Sequence, residues 1–301
     1  MVREVLLTLR PRRGQLLLDC TVGLGGHSVE LLRRILQGGH LVGTDFDARS
    51  LATAREKLAA LPGAAGHFHL HHGNYAALPT VLAQTALHLG LPVETRADGV
   101  LADLGVSSPQ IDDPARGFSY RSPGPLDMRM DPTRGQPAWK LLQRMSEQEI
   151  AEALLELGDE TDAEKIARLI VQRRAEAPIE TTQDLMALVC EARDFTLKRA
   201  AGAKLHPAAR TFQALRILTN REMPNLERLL AILPDVLKPG GVAAIITFHS
   251  GEDRRVKRAF KEGVAAGVYS EIAPDPILAT AEEVAANKRA RSAKLRWARR
   301  A

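Results

Sequence analysis

Cysteine is almost missing from this chain: Cys20 and Cys190 are the only two in 301 residues. They stand 170 positions apart, and neither belongs to a CxxC pair or a Cys/His metal spacing. That excludes a disulfide framework and predicts reduced thiols. No apolar run approaches the roughly 20 residues that span a bilayer, and the opening segment MVREVLLTLRPRRG lacks the apolar stretch and cleavage site of a secretory signal. The expectation is a soluble cytoplasmic protein with no membrane partner. With 23 Gly and 17 Pro the chain is not collagen-like or of low complexity, and 45% hydrophobic with 26% charged residues is a globular composition. The length suits two modest domains. Acid is missing from the tail: residues 287–301 hold seven Lys/Arg and no Asp/Glu, leaving 34 basic against 36 acidic groups elsewhere. All the excess positive charge therefore sits at one end, which points to a polyanionic partner such as nucleic acid.

Short apolar runs alternate with helical stretches, as a parallel α/β sheet requires. Gln15–Asp19, His40–Asp45, His67–His72, Asp98–Asp103 and, after Lys238-Pro-Gly-Gly, Val242–Phe248 read as strands one to five. Val29, Leu32 and Leu36 mark a helix between the first two, and Leu51, Ala54 and Leu58 mark the next. Residues 111–205 break the alternation with a Gly/Pro/Asp/Arg loop (111–137) and three helices. Their start signals are Ser146 with Glu149, Thr161 with Glu164, and Thr181 with Asp184. This predicts a small helical domain inserted into an α/β domain formed by 1–110 and 206–301. A long helix is expected from Pro207 to about Leu237, kinked at Pro224.

The first strand runs into Thr21-Val-Gly-Leu-Gly-Gly-His27 and then a helix, a turn that brings backbone and a helix N-terminus close to a ligand. The dinucleotide fingerprint would need glycine at 28, where this chain has Ser28. Asp19 just before the glycines suits a cationic, phosphate-free cofactor, S-adenosylmethionine, better than a nicotinamide dinucleotide. Asp45, ending the second strand, is placed to accept from both ribose hydroxyls of an adenosine, with Asp47 as its competitor. Asn74 and Tyr75 could flank the adenine, although Tyr75 could equally be ordinary packing. His67, His69 and His71 would share one strand face, but no carboxylate or cysteine is spaced with them and no metal is expected. Asp103, followed by small residues and a proline, stands where aminomethyltransferases hold the target nitrogen. Neither Cys20 nor Cys190 is placed to attack a pyrimidine ring.

In order along the chain, DCTVGLGGHS, HGNY, DLGVSSPQIDDPARGFSYRSPGPLDMRMDP, HPAARTFQALRI, LKPGG and FHSGEDR resemble the RsmH (MraW) family of 16S ribosomal RNA cytidine N4-methyltransferases. The resemblance covers nearly the whole chain. It implies methyl transfer from S-adenosylmethionine to a cytidine amine in the decoding region of small-subunit RNA, with 16S rRNA or the small ribosomal subunit as partner. It is compatible with a homodimer. It also implies a class I (Rossmann-like) methyltransferase core, a mostly parallel seven-stranded sheet carrying an inserted helical domain for RNA recognition. Carried over by position, the cofactor contacts fall on Gly25, Gly26, His27, Asp45, Tyr75, Asp103 and Gln110, and Asp103 doubles as the catalytic candidate. Three departures stand out: the His and Pro that usually precede the first helix are lacking, Gly251 replaces a leucine, which should loosen its loop, and Lys288 replaces a proline. In the tail, Leu295 and Trp297 alternate with Lys294 and Arg296, the period of a strand. Residues 292–299 should therefore insert antiparallel between the fifth strand and a sixth near Val268–Ile272. Trp297 should be largely buried and the arginines should lie at the sheet margin.

Overall fold

A computed structural model describes residues 1–203 and 206–301, which divide into two compact units: Met1–Gly105 with Met223–Ala301, and Val106–Glu222. The first unit is built on one sheet. Its strands are β1 Leu16–Asp19, β2 His40–Asp45, β3 Phe68–His72, β4 Ala97–Asp103, β5 Leu237–Thr247, β6 Tyr269–Ile272, β7 Ile277–Leu278 and β8 Lys294–Arg300. Their order across the sheet is β3-β2-β1-β4-β5-β8-β6, with β7 on β8. β1 to β5 pair in parallel, and β8 runs antiparallel to its neighbours. The sheet thus has one strand more than the seven expected. β6 pairs with the end of β8 and leaves the backbone groups near Leu295 open, and Ile277–Leu278 takes them.

The continuous apolar run Leu16–Leu18 follows from burial on both faces. Leu16 and Leu18 pack with Leu78, Leu229 and Leu233 on one side, while Leu17 packs with Val5, Leu31 and Leu32 on the other. The helices supplying these residues are Leu78–His88 and Glu222–Val236 on the first face, and Val2–Leu9 and Gly26–Ile35 on the second. Lys238-Pro-Gly-Gly forms an irregularity inside β5, where the register shifts between Ala97 and Gly99. Lys238 Nζ fastens it to Asp98 at 2.9 Å.

The tail is strand β8, sitting between β5 and β6, but one of its side chains, Arg296, differs from expectation. Trp297 packs against the core cluster that holds Leu17 and Leu295, with part of its surface open and the Arg299 guanidinium 5.9 Å from its ring. Arg296 is 6% exposed rather than marginal. An interior strand has no margin: alternation points residue 296 at the helix Ser250–Ala265, and Asp253 on that helix supplies the counter-charge, 2.6 Å from Arg296 Nε.

The second unit holds the helices Ser108–Asp112, Ala138–Arg144, Glu147–Gly158, Ala163–Glu176, Thr182–Ala192, Leu197–Ala201 and Ala209–Thr219. The capping boxes at Ser146 and Thr181 form. The one expected at Thr161 does not: that helix begins at Ala163, and Arg193 holds the turn instead, 3.5 Å from buried Glu160 and 3.2 Å from Asp162. The expected insert end, residue 205, lies outside the described residues. The helix Ala209–Thr219 clusters with the second unit, whereas the sequence places it with the sheet. The long helix expected from Pro207 is two helices, broken at Arg221, whose φ is +51°. Pro224 falls in the first turn of the second helix, where a missing N–H costs no hydrogen bond.

Candidate active site

The site starts from a buried carboxylate. Asp19, fully buried at the end of β1, accepts from Ser28 Oγ at 2.6 Å and from Thr21 N at 3.1 Å. Burial raises its pKa against these hydrogen bonds. Ser28 thereby explains its own presence where a dinucleotide loop would carry glycine: it anchors the helix to Asp19, and Asp19 holds the loop. Thr21 turns its hydroxyl to Asp103 N at 2.6 Å, tying the end of β1 to the end of β4.

Gly25 has φ +83° and precedes the helix Gly26–Ile35, and a Cβ there would lie 3.2 Å from Ala54. Only glycine fits that turn and that approach. At Gly26 nothing stands within 4 Å of where a Cβ would be, so the helix N-terminus is open to a ligand. Asp45 holds the loop from the other side, Oδ2 accepting from Gly23 N at 2.7 Å and Oδ1 from Asp47 N at 2.8 Å. Burial pushes its pKa up to about 6, opposed by these two backbone donors. Asp47 accepts from Arg49 N and caps the helix Ala48–Ala59.

His27 and Asp103 meet at the carboxyl ends of the strands, with His27 Nε2 3.5 Å from Asp103 Oδ2. Burial works to lower the His27 pKa, but the hydrogen bond and charge of Asp103, with Asp19 behind it, outweigh burial and raise it. His27 Nδ1 and Asp103 Oδ1 are both buried without a hydrogen-bond partner. Orphaned polar atoms of this kind mark a place for a polar ligand. Tyr75 is 8% exposed and packs edge-to-face on Phe46 at 6.4 Å, while Asn74 donates to Asn225 at 2.7 Å. The first unit thus brings together Gly25, Gly26, His27, Asp45 and Asp103 around one glycine turn, with Tyr75 following β3. Gln110 belongs to the second unit, where its Oε1 accepts from Ser107 N at 2.9 Å in a capping box.

The thiols are unsuited to attack. Both are buried, and burial raises both, that of Cys20 well above its ordinary value. The strand histidines are engaged by neighbouring groups: His67 with Gly39 O and the His40 ring, His69 with His40 Nδ1 at 3.4 Å, His71 with Thr85 Oγ1 and His72 with Phe46 O. His69 is pushed down to about 4 by burial and by His40 and His88. Among the described residues no group of three or more His, Cys, Asp or Glu could hold a metal ion.

Buried Glu252 accepts from Phe248 N at 2.8 Å, where the chain leaves β5, and Asp253 pairs with Arg296. Gly251 is buried, and a Cβ there would lie 3.1 Å from His249 Nδ1. The position is packed rather than loosened.

The strand order with its antiparallel β8, the glycine turn after β1 and acids after β1, β2 and β4 define a class I methyltransferase. The chain belongs to the MraW methylase family, whose model matches residues 1–301. It is 43% identical over 298 residues to the Ribosomal RNA small subunit methyltransferase H of Sorangium cellulosum, covering 99% of this chain and 89% of the relative. It is 41% identical over 302 residues to the protein of that name from Koribacter versatilis, covering 99% and 92%. The relative of that name from Halorhodospira halophila is 45% identical over 297 residues, covering 94% and 87%.

Proposed function

We propose that this enzyme transfers a methyl group from S-adenosylmethionine to the exocyclic N4 amine of a cytidine in the decoding region of 16S ribosomal RNA. One observation carries the reading most directly: buried, unsatisfied Asp103 Oδ1 and His27 Nδ1 beside an open glycine turn, in a family whose curated relatives are small-subunit rRNA methyltransferases.

The site fits that cofactor without phosphate chemistry. Gly26 leaves room along the backbone, and Asp45 keeps lone pairs for ribose hydroxyls after serving two backbone donors. Bound S-adenosylmethionine supplies an electrophilic methyl on a sulfonium. The cytosine amine is a poor nucleophile because its lone pair is delocalised into the ring. An acceptor for its N–H groups favours a more pyramidal nitrogen, and Asp103, with an unused oxygen, is that acceptor. With the cofactor held along Gly26 and Asp45, its methyl would pass to that nitrogen, and Asp103 or water would take the amine proton. His27 balances the Asp103 charge and fixes its rotamer through Oδ2. No covalent adduct is required, in keeping with two buried thiols of raised pKa.

RNA recognition is assigned to the second unit. There Tyr120 stacks on His206 with centroids 4.3 Å apart and 18° between planes, beside exposed Arg121. Rings and a guanidinium side by side suit single-stranded bases. Among the described residues no helix is long and apolar enough to cross a membrane, and the substrate places the enzyme in the cytoplasm.

The test is Asp103→Ala assayed at saturating cofactor. Turnover on unmethylated small subunits should fall by more than the affinity for S-adenosylhomocysteine does. Unchanged turnover would remove Asp103 from the chemistry.

A further inference from the structure

We infer that the outer face of the helix Ser250–Ala265 is a docking surface for the phosphodiester backbone of the RNA, which rests on the substrate class proposed above. The helix starts three residues after β5, at the sheet end that carries Asp103, since Asp103 pairs in register with Ile246. Its inner side is committed. Val256 and Phe260 enter the core, Glu252 and Asp253 are turned inward onto Phe248 N and Arg296, and Arg255 meets Glu227 at 2.8 Å.

The outer side carries Arg254, Lys257, Arg258 and Lys261, all exposed. At 100° and 1.5 Å per residue they fall within an arc of about 100° and a length of about 10 Å. Together with Glu262 they line a shallow groove. Glu262 lies 4.0 Å from Arg258, with both side chains about 70% exposed, a pair of little energetic weight.

A solvated helix face normally alternates charge signs at i,i+4. Here Lys257 and Lys261 set like charges at that spacing, which is unfavourable without a counter-anion. The occupant is nucleic acid rather than an acidic protein because the face has no apolar or aromatic anchor: Val264, at its far end, is its only exposed large apolar residue. Protein interfaces depend on such anchors, whereas phosphate contacts need only charge.

The experiment compares wild type with Lys257→Ala/Arg258→Ala/Lys261→Ala, using a fluorescent transcript of the small-subunit decoding region and anisotropy across a salt series. The slope of log affinity against log salt should shrink by about 2 in magnitude, at about 0.7 per phosphate on single strands. KM for RNA should rise at least tenfold, with kcat at saturating RNA, S-adenosylhomocysteine affinity and melting temperature unchanged. The charge-preserving variant Lys257→Arg/Arg258→Lys/Lys261→Arg should keep the wild-type slope. An unchanged slope in the alanine variant, or wild-type binding without salt dependence, overturns the inference. If the slope shrinks as stated but wild type methylates no RNA, the docking surface stands and the substrate reading fails.

Discussion

The Asp253 and Arg296 pair offers the sharpest test of how the tail is held. Arg296 contacts Asp253 at 2.6 Å through Nε, and the two side chains are 7% and 12% exposed. Lys294 adds a third contact at 3.3 Å from a more open position. Removing one member of a buried pair strands the other charge and costs about 3–5 kcal/mol, whereas replacing both with apolar groups of similar size is near neutral. Asp253→Ala and Arg296→Met should each lose about that much at pH 7, and Asp253→Leu/Arg296→Met should recover most of it. The assay is urea unfolding followed by Trp297 fluorescence in a Trp139→Phe background, since these are the only two tryptophans. Burial works to raise the Asp253 carboxyl, but hydrogen bonding and charge from Arg296, with Lys294, hold it below 3.8. Its contribution is therefore complete above pH 3.8 and vanishes as pH falls through the lower folded value, so the gap between wild type and Asp253→Ala should close in acid. A single variant losing under about 1 kcal/mol, or a double variant as unstable as the sum of the singles, would refute the buried pair.

Asp45→Ala should weaken S-adenosylhomocysteine binding by about 1.5–3 kcal/mol, roughly ten- to a hundredfold, by calorimetry. Asp47→Ala should instead cost about 1 kcal/mol of stability as a lost helix cap, with affinity little changed; equal effects on binding would show that the wrong acid was chosen. Because Asp45 is pushed up to about 6, affinity should be flat above pH 7 and fall as pH drops through that value, an inflection that Asp45→Asn should lack. Gly117 has φ +71°, and a Cβ there would overlap Pro125 O, while Gly135, at φ +70°, has open space. Gly117→Ala should therefore destabilise the second unit by about 2–5 kcal/mol, read at Trp139, and Gly135→Ala by only about 1–2; similar losses would contradict the packing of the 106–137 loop.

What was legible in the sequence was whatever depends on short-range pattern. Apolar runs located β1 to β5, the alternation of Leu295 and Trp297 located β8, and the glycine turn with Asp19 and Asp45 picked out the carboxyl ends of the strands as the candidate site. What escaped depends on neighbours far away in the chain. Arg296 looks like a surface arginine until Asp253, 43 positions earlier, is seen opposite it. The break at Arg221 rests on a positive φ in a non-glycine residue, and the Thr161 box lost to Arg193, whose contacts no local window contains. Among the candidate site residues, His27 and Asp103 were named through a resemblance, but their mutual 3.5 Å contact and their orphaned atoms needed the fold.

The proposed activity stands or falls on which atom receives the methyl group. The direct measurement is incubation of unmethylated small ribosomal subunits with the enzyme and methyl-labelled S-adenosylmethionine, followed by nucleoside digestion and mass spectrometry. Label should appear in N4-methylcytidine, at one decoding-region cytidine, and be absent with Asp103→Ala. Label in 5-methylcytidine, in a ribose methyl or in no nucleoside at all would contradict that activity.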